Sequence, residues 1–184
     1  MATNGRLRDY LTRAEVGALL RAAKAGRRHA VRNHAMILLA HRHGFRASEL
    51  VELRVSDVDL AAATIHCRRR KGSNSSVHPM KRDEIAAVGR VLAKCEVRGT
   101  DYLFASERGD RLTRNGFWRI VSEAGKRAEL PMSVYTHQLR HACGYYLANR
   151  GCDLRLIQDY LGHKQIQNTV RYTTLSAERF RGLW

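Results

Sequence analysis

Proline is scarce in this chain of 184 residues: Pro79 and Pro131 are the only two. Long rigid linkers are therefore not expected, and helices have room to run. Cysteine is sparse too. Cys67, Cys95, Cys143 and Cys152 form no C-x-x-C pair, so they read as reduced, mostly buried thiols, and neither a disulfide framework nor a metal site is expected of them. No apolar run approaches the roughly 20 residues that span a bilayer. Residues 1–8 are polar and basic, without the apolar segment of a secretion signal. These absences predict a cytoplasmic protein with no membrane partner.

Acidic residues are also few. Seventeen Asp and Glu face 33 Lys and Arg, for a formal charge of +16. The excess runs along the whole chain, so it belongs to a folded body and not to a tail. Such a body repels itself unless a polyanion offsets the field. Duplex DNA or RNA is the natural partner, held by phosphate contacts and counterion release. A ribosome-associated protein and one adapted to anionic membranes are the blander alternatives. The apolar fraction of 44% is enough for a real core, and the length suits one compact domain, 1–184.

Thr12-Arg-Ala-Glu15 is a capping box, followed by Val16, Leu19, Leu20 and Ala23 at helical spacing, with Gly26 as a stop. A second helix is predicted from about Arg32 to His43 and a third from Ala47 to Leu53. Thr64 to Arg68 reads as a strand, Lys71 to Ser75 as a turn, and Ser76 to Pro79 as a short returning edge strand. Helices resume from Arg82 to Cys95. Thr113 is an expected N-cap for a helix with Phe117, Ile120, Val121 and Ala124 on one face. Thr136 is expected to cap a helix to Asn149, and Asp153 one that ends at Gly162. The fold class is mainly α with a small antiparallel β-sheet (α+β). Asp57 and Asp59, a close acidic pair, read as a capped turn and not as a cation site.

The densest chemical cluster is Thr136-His-Gln-Leu-Arg-His141. His137, Arg140 and His141 lie at i, i+3 and i+4 and share a helix face. H-x-x-x-H is half of a zinc signature, but Gln138 cannot be the general base that signature needs. A solvated polar face is the plain alternative. The third reading is an anion site, with Arg140 forking two hydrogen bonds to phosphate oxygens and His137 moving a proton. Arg46 follows Gly44 near the start of a helix, a place that favours anions, and Glu49 can pair with it. His163 follows Gly162, and Tyr172 lies in Thr169-Val-Arg-Tyr-Thr-Thr174. Alone, each would pass for a structural residue.

Together, Arg46, Lys71, His137-x-x-Arg140, His163 and Tyr172 resemble the active-site pattern of the tyrosine site-specific recombinases. All six positions stand in order, in the stretches GFRASEL, RRKGS…VHPM, HQLRHACGYYLANRG, LIQDYLGH and TVRYT. The sequence is most similar to the short fimbrial phase-variation invertases. The resemblance covers essentially the whole chain. About 45 residues precede Arg46, which leaves no room for the N-terminal clamping domain of larger members, and Met1 with its prompt capping box reads as a natural start.

The resemblance implies a metal-free and ATP-free reaction with no cofactor. Tyr172 attacks a DNA phosphorus and leaves a 3′-phosphotyrosine and a free 5′-hydroxyl. Arg46 and Arg140 hold the non-bridging oxygens, Lys71 protonates the leaving oxygen from a mobile hairpin turn, His137 acts as general base or acid, and His163 bonds the scissile phosphate. Arg68, Arg69, Arg70 and Lys164 are the further DNA-binding candidates. Double-stranded DNA is the implied partner, with four protomers on two sites. Accessory DNA-bending proteins are a further partner class, and the nucleoid is the implied place of work. The apolar end, Phe180 to Trp184, suits docking on a neighbouring protomer or packing on its own core. A type IB topoisomerase and a DNA-binding regulator with an idle site are the rival functions.

Overall fold

The computed structural model describes residues 8–26, 29–69, 73–94 and 101–173. Lys71, Arg70, Cys95 and the apolar end from Phe180 to Trp184 lie outside the described residues.

Helix α1 (Arg13–Lys24) begins at the expected capping box: the Thr12 hydroxyl accepts from the Glu15 N–H, and the Glu15 carboxylate accepts from the Thr12 N–H at 2.7 Å. Helix α2 (Ala30–Arg42) buries every residue from Ala35 to Ala40. A helix apolar on all sides belongs at the centre of a core, and α2 packs against α1, α4 (Arg82–Lys94) and α6 (Thr136–Asn149). Helix α3 (Ala47–Val51) follows Gly44, whose φ of +60° breaks α2. A Cβ on Gly44 would also stand 2.4 Å from the Leu161 side chain, so both backbone and space require glycine there.

The sheet is antiparallel in the order β1 (Val58–Asp59), β2 (Thr64–Cys67), β3 (Ser76–Pro79). The β2–β3 hairpin matches the sequence expectation, with Ile65 opposite His78 and Cys67 opposite Ser76. Pro79 sits at the end of the edge strand, where its missing donor costs nothing. β1 was not expected; two residues are too few to show a period. Asp57 closes the 3-10 turn Val55–Asp57 and accepts from the Arg54 N–H, while Asp59 ends β1 and accepts from the Ala62 N–H of the turn that follows.

Helix α5 (Arg114–Arg127) is capped by Thr113, which accepts from the Gly116 N–H at 3.0 Å, and buries Phe117, Val121 and Ala124. Helix α7 (Leu154–Leu161) is capped by Asp153 and ends at Gly162. The cap of α6 differs from the expectation. Tyr135 is the N-cap residue, and Gln138 satisfies its N–H at 2.7 Å, so Thr136 already lies within the helix. A short α8 (Gln167–Val170) leads into the 3-10 turn Arg171–Thr173. No helix among the described residues is long and apolar enough to cross a membrane.

Candidate active site

Three arginines converge on one buried carboxylate. Glu49, on α3, accepts from Arg46 Nη1 at 2.6 Å and from Arg69 Nη1 at 2.9 Å, and lies 4.0 Å from Arg140 Nη1. Its second oxygen also takes the Arg46 N–H at 2.9 Å. Burial alone would raise the Glu49 pKa, but Arg69, the Arg46 N–H and the Arg46 guanidinium overcome it and hold the carboxyl below its ordinary value. One negative charge thus supports three positive ones, and the site stays net cationic.

Arg140 projects from α6 into this cluster. Its Nη1 donates to the Gly44 carbonyl and its Nη2 to the Leu161 carbonyl at 2.8 Å. One guanidinium therefore ties together α6, the turn before Arg46 and the end of α7. Burial, then Arg46 and Arg69, lower its pKa to about 10, so it keeps its charge at neutral pH. Arg46, partly exposed, also reaches Ser73 Oγ at 3.5 Å, on the hairpin arm.

His163 is buried beside this charge. Its Nδ1 contacts Thr169 Oγ1 at 2.9 Å. Burial, then Arg140, Arg46 and Arg69, push its pKa down to about 4. It is therefore neutral at physiological pH. A threonine hydroxyl donating to Nδ1 leaves Nε2 protonated, ready to donate to an anion.

The ring of Tyr172 stacks on His163, with centroids 6.2 Å apart and planes 13° apart. Its other sides meet Tyr145 edge-on and the backbone of Gly144. A Cβ on Gly144 would lie 2.5 Å from the phenol ring, so only glycine lets Tyr172 seat on α6. The hydroxyl meets His141 Nδ1 at 3.0 Å. Burial pushes the phenol up to about 12, against the pull of Arg140 and Arg171. Burial, then Arg171, pushes His141 down to about 4, so the neutral imidazole accepts and the phenol donates. Arg171 pairs with Asp9 and Tyr10 packs on Tyr145, so the start of the described chain braces this turn from outside.

The structure thus brings Arg46, Arg140, His163 and Tyr172 into one cluster. His137 stands apart on the exposed first turn of α6, its ring centroid 6.4 Å from that of His141. The imidazole touching the phenol is His141, which the sequence placed on the same face without assigning it a role. The zinc reading of this pair lacks a third ligand: no other His, Cys, Asp or Glu among the described residues lies close enough to complete a metal site with it. Lys164 is exposed. Arg68 is half exposed and bonds Asp57 at 2.6 Å.

Arg69 requires a correction. Expected to bind DNA, its side chain is 0% exposed and donates to Glu49, to the His43 carbonyl at 2.8 Å and to the Tyr160 carbonyl at 2.9 Å. It braces the cluster from within. The signal was present: burial alternates along Ile65, Cys67 and Arg69, with His66 and Arg68 outward. Among the described residues, His43, Cys67 and His78 are the one group of three His, Cys, Asp or Glu side chains close enough to hold a metal ion.

Residues 9–179 match the model of the Phage integrase family. The chain is 49% identical to the type 1 fimbriae regulatory protein FimE of Escherichia coli, over 96% of this chain and 91% of that protein. It is 44% identical to FimB of the same organism, over 96% and 90%. Identity to the tyrosine recombinase XerD of Halalkalibacterium halodurans is 32%, over 97% of this chain and 61% of the relative. The crystal structure of XerA recombinase superposes with a TM-score of 0.86 at 28% identity, covering all of this chain and 68% of that one. The expected fold class is therefore correct, and the chain belongs to the phage integrase family as a tyrosine recombinase.

Proposed function

We propose that the chain cleaves and rejoins duplex DNA at specific sites through a 3′-phosphotyrosyl bond to Tyr172, with inversion, integration or excision as the outcome. The observation that carries this reading is the stack of Tyr172 on His163, an imidazole that feels both Arg46 and Arg140. A phosphodiester entering there meets two guanidinium groups, one neutral imidazole donor and a phenol.

Each residue type has a reason. Two guanidinium forks hold the non-bridging oxygens as charge builds on the phosphorane. The phenol is a poor nucleophile while its pKa stands near 12, so its proton must leave as the phosphate arrives. His141 accepts that hydroxyl in the free protein, and His137 takes over proton transfer once DNA covers the first turn of α6. His163 donates to the phosphate through Nε2. Lys71 protonates the leaving 5′-oxygen. The contact between Arg46 and Ser73, two residues along the hairpin, supports its reach. Attack forms one P–O bond as the bond to the 5′-oxygen breaks, so the ester energy is kept and no nucleotide cofactor is needed.

Arg68, Arg70 and Lys164 are the proposed backbone contacts, and the net charge of +16 supports DNA as the ligand. Four protomers on two sites, accessory DNA-bending proteins, and a cytoplasmic location on the nucleoid complete the reading. The test is a nicked suicide duplex offered with a second duplex. Wild-type protein is expected to form a covalent adduct and then joint molecules. Relaxation of supercoils without joint molecules would make it a topoisomerase. Binding without any adduct would make it a regulator with an idle site.

A further inference from the structure

Strand β3 buries the wrong residue for a simple sheet. Val77 is 63% exposed, while His78 is 2% exposed. A shift of one residue would reverse this and place an aliphatic side chain in the core. The register instead turns an imidazole inward, and a core that prefers a polar group to an available valine signals a function.

The imidazole meets a second one. His78 Nδ1 lies 3.2 Å from Nδ1 of His43, the residue that ends α2. Both far nitrogens have polar neighbours. His43 Nε2 lies 2.8 Å from Glu84 Oε1, close in distance but not aligned for a hydrogen bond, and His78 Nε2 stands 2.8 Å from Ser76 Oγ. Glu84 is itself fixed by the Lys81 N–H and by Arg42. The Glu84 charge beside Nε2 favours the proton on that nitrogen of His43 and so leaves an Nδ1 lone pair facing inward, and the serine oxygen can do the same for His78. This is how proteins orient imidazoles that ligate a metal. Cys67, on β2 and fully buried, puts its sulfur within 4.8 Å of a ring nitrogen of each histidine.

We propose that His43 Nδ1, His78 Nδ1 and Cys67 Sγ form a structural zinc site beneath the hairpin, distinct from the reacting centre. Zinc bonds of about 2.05 Å to nitrogen in a tetrahedron set an N–N edge of about 3.3 Å, close to the 3.2 Å observed. The matching N–S edge is about 3.5 Å, and the sulfur lies within 4.8 Å of an imidazole nitrogen on each ring. The N,N,S set suits a borderline-soft d10 ion and leaves one coordination position for water. Binding replaces the thiol proton: the S–H bond breaks, Zn–S forms, and one proton leaves to solvent. The sequence, read through the cysteines alone, pointed away from metal, because the ligands lie on three elements with no short spacing.

The site would tie the C-cap residue of α2, three positions before Arg46, to both arms of the hairpin that carries Lys71. Its rival occupant is a proton shared between the two Nδ1 atoms, which satisfies the same geometry without metal.

The test uses the full chain, with zinc buffered by a chelator and cobalt(II) as an optical probe. One equivalent is expected to bind, with a thiolate-to-cobalt charge-transfer band. The band is expected to vanish in Cys67→Ser, and zinc affinity to fall at least tenfold in His78→Gln. His137→Gln, at the exposed histidine pair, is expected to keep full affinity. X-ray absorption of the zinc-loaded wild type needs no variant to fold; it is expected to show one sulfur and at least two imidazole nitrogens. Absence of binding would assign the gap to the proton. A zinc shell without sulfur, or affinity lost in His137→Gln alone, would also overturn the proposal.

Discussion

The phenol of Tyr172 donates to Nδ1 of His141 across 3.0 Å, and the ring rests on the bare backbone of Gly144. The hydroxyl is thereby held in a protonated resting state beside the cluster of arginines. Tyr172→Phe removes only the oxygen. The ring keeps its seat against His163, Tyr145 and Gly144, and one hydrogen bond is lost, worth about 1 kcal/mol. DNA affinity is expected to stay near wild type while the covalent adduct disappears from denaturing gels. An adduct that persists would place the nucleophile on another residue.

Arg140→Lys keeps the charge and removes the fork. In the free protein the two Nη groups bond carbonyls of different elements, Gly44 and Leu161, and a single ammonium cannot span both. The same loss applies to two phosphate oxygens in the transition state. Single-turnover cleavage is expected to fall by about 100- to 1000-fold, the cost of removing one preorganised donor from such a site. Near-normal turnover would mean that charge alone suffices.

How much of this was legible beforehand depends on the reach of each cause. Capping at Thr12, Thr113 and Asp153 is local chemistry, and all three caps stand where the sequence put them. The buried run from Ala35 to Ala40 announced its own place in the core. The site was legible through its resemblance to a family pattern, since Arg46, Arg140, His163 and Tyr172 lie far apart in the chain. What the sequence hid was tertiary. Whether His137 or His141 meets the phenol depends on where the turn at Tyr172 docks, not on helix period. The common support of Arg46, Arg69 and Arg140 by Glu49 depends on three separate elements arriving together.

The run from Arg68 to Arg70 looks uniform in sequence, yet Arg68 and Arg69 do opposite work. Arg69→Ala leaves Glu49 buried with less compensation and takes this donor from the His43 and Tyr160 carbonyls. It is expected to destabilise the fold by on the order of 3 kcal/mol, read as a lower denaturant midpoint. Arg68→Ala loses a half-exposed ion pair to Asp57 and is expected to cost about 1 kcal/mol. It should instead lower the slope of log affinity against log salt by about 1. If Arg69→Ala weakened DNA binding with the midpoint unchanged, the bracing role assigned to Arg69 would be wrong.

Acid should unfold this protein earlier than its carboxylates alone would. Burial holds His41, His141 and His163 down at about 4 and His78 at about 3, and it lowers His34 as well. In the unfolded chain each imidazole titrates near 6.5. Between about pH 6.5 and 4 the unfolded state therefore binds protons that the native state refuses, so stability falls as pH falls through that window. Above about pH 6.5 both states are neutral at these positions and the penalty vanishes. Urea midpoints measured from pH 8 to pH 5 are expected to be level at first and then drop steeply below about pH 6.5, ahead of most carboxylate titration. A midpoint that stays flat to pH 5 would show that the buried imidazoles already carry protons in the native state, and that His141 cannot be accepting from Tyr172.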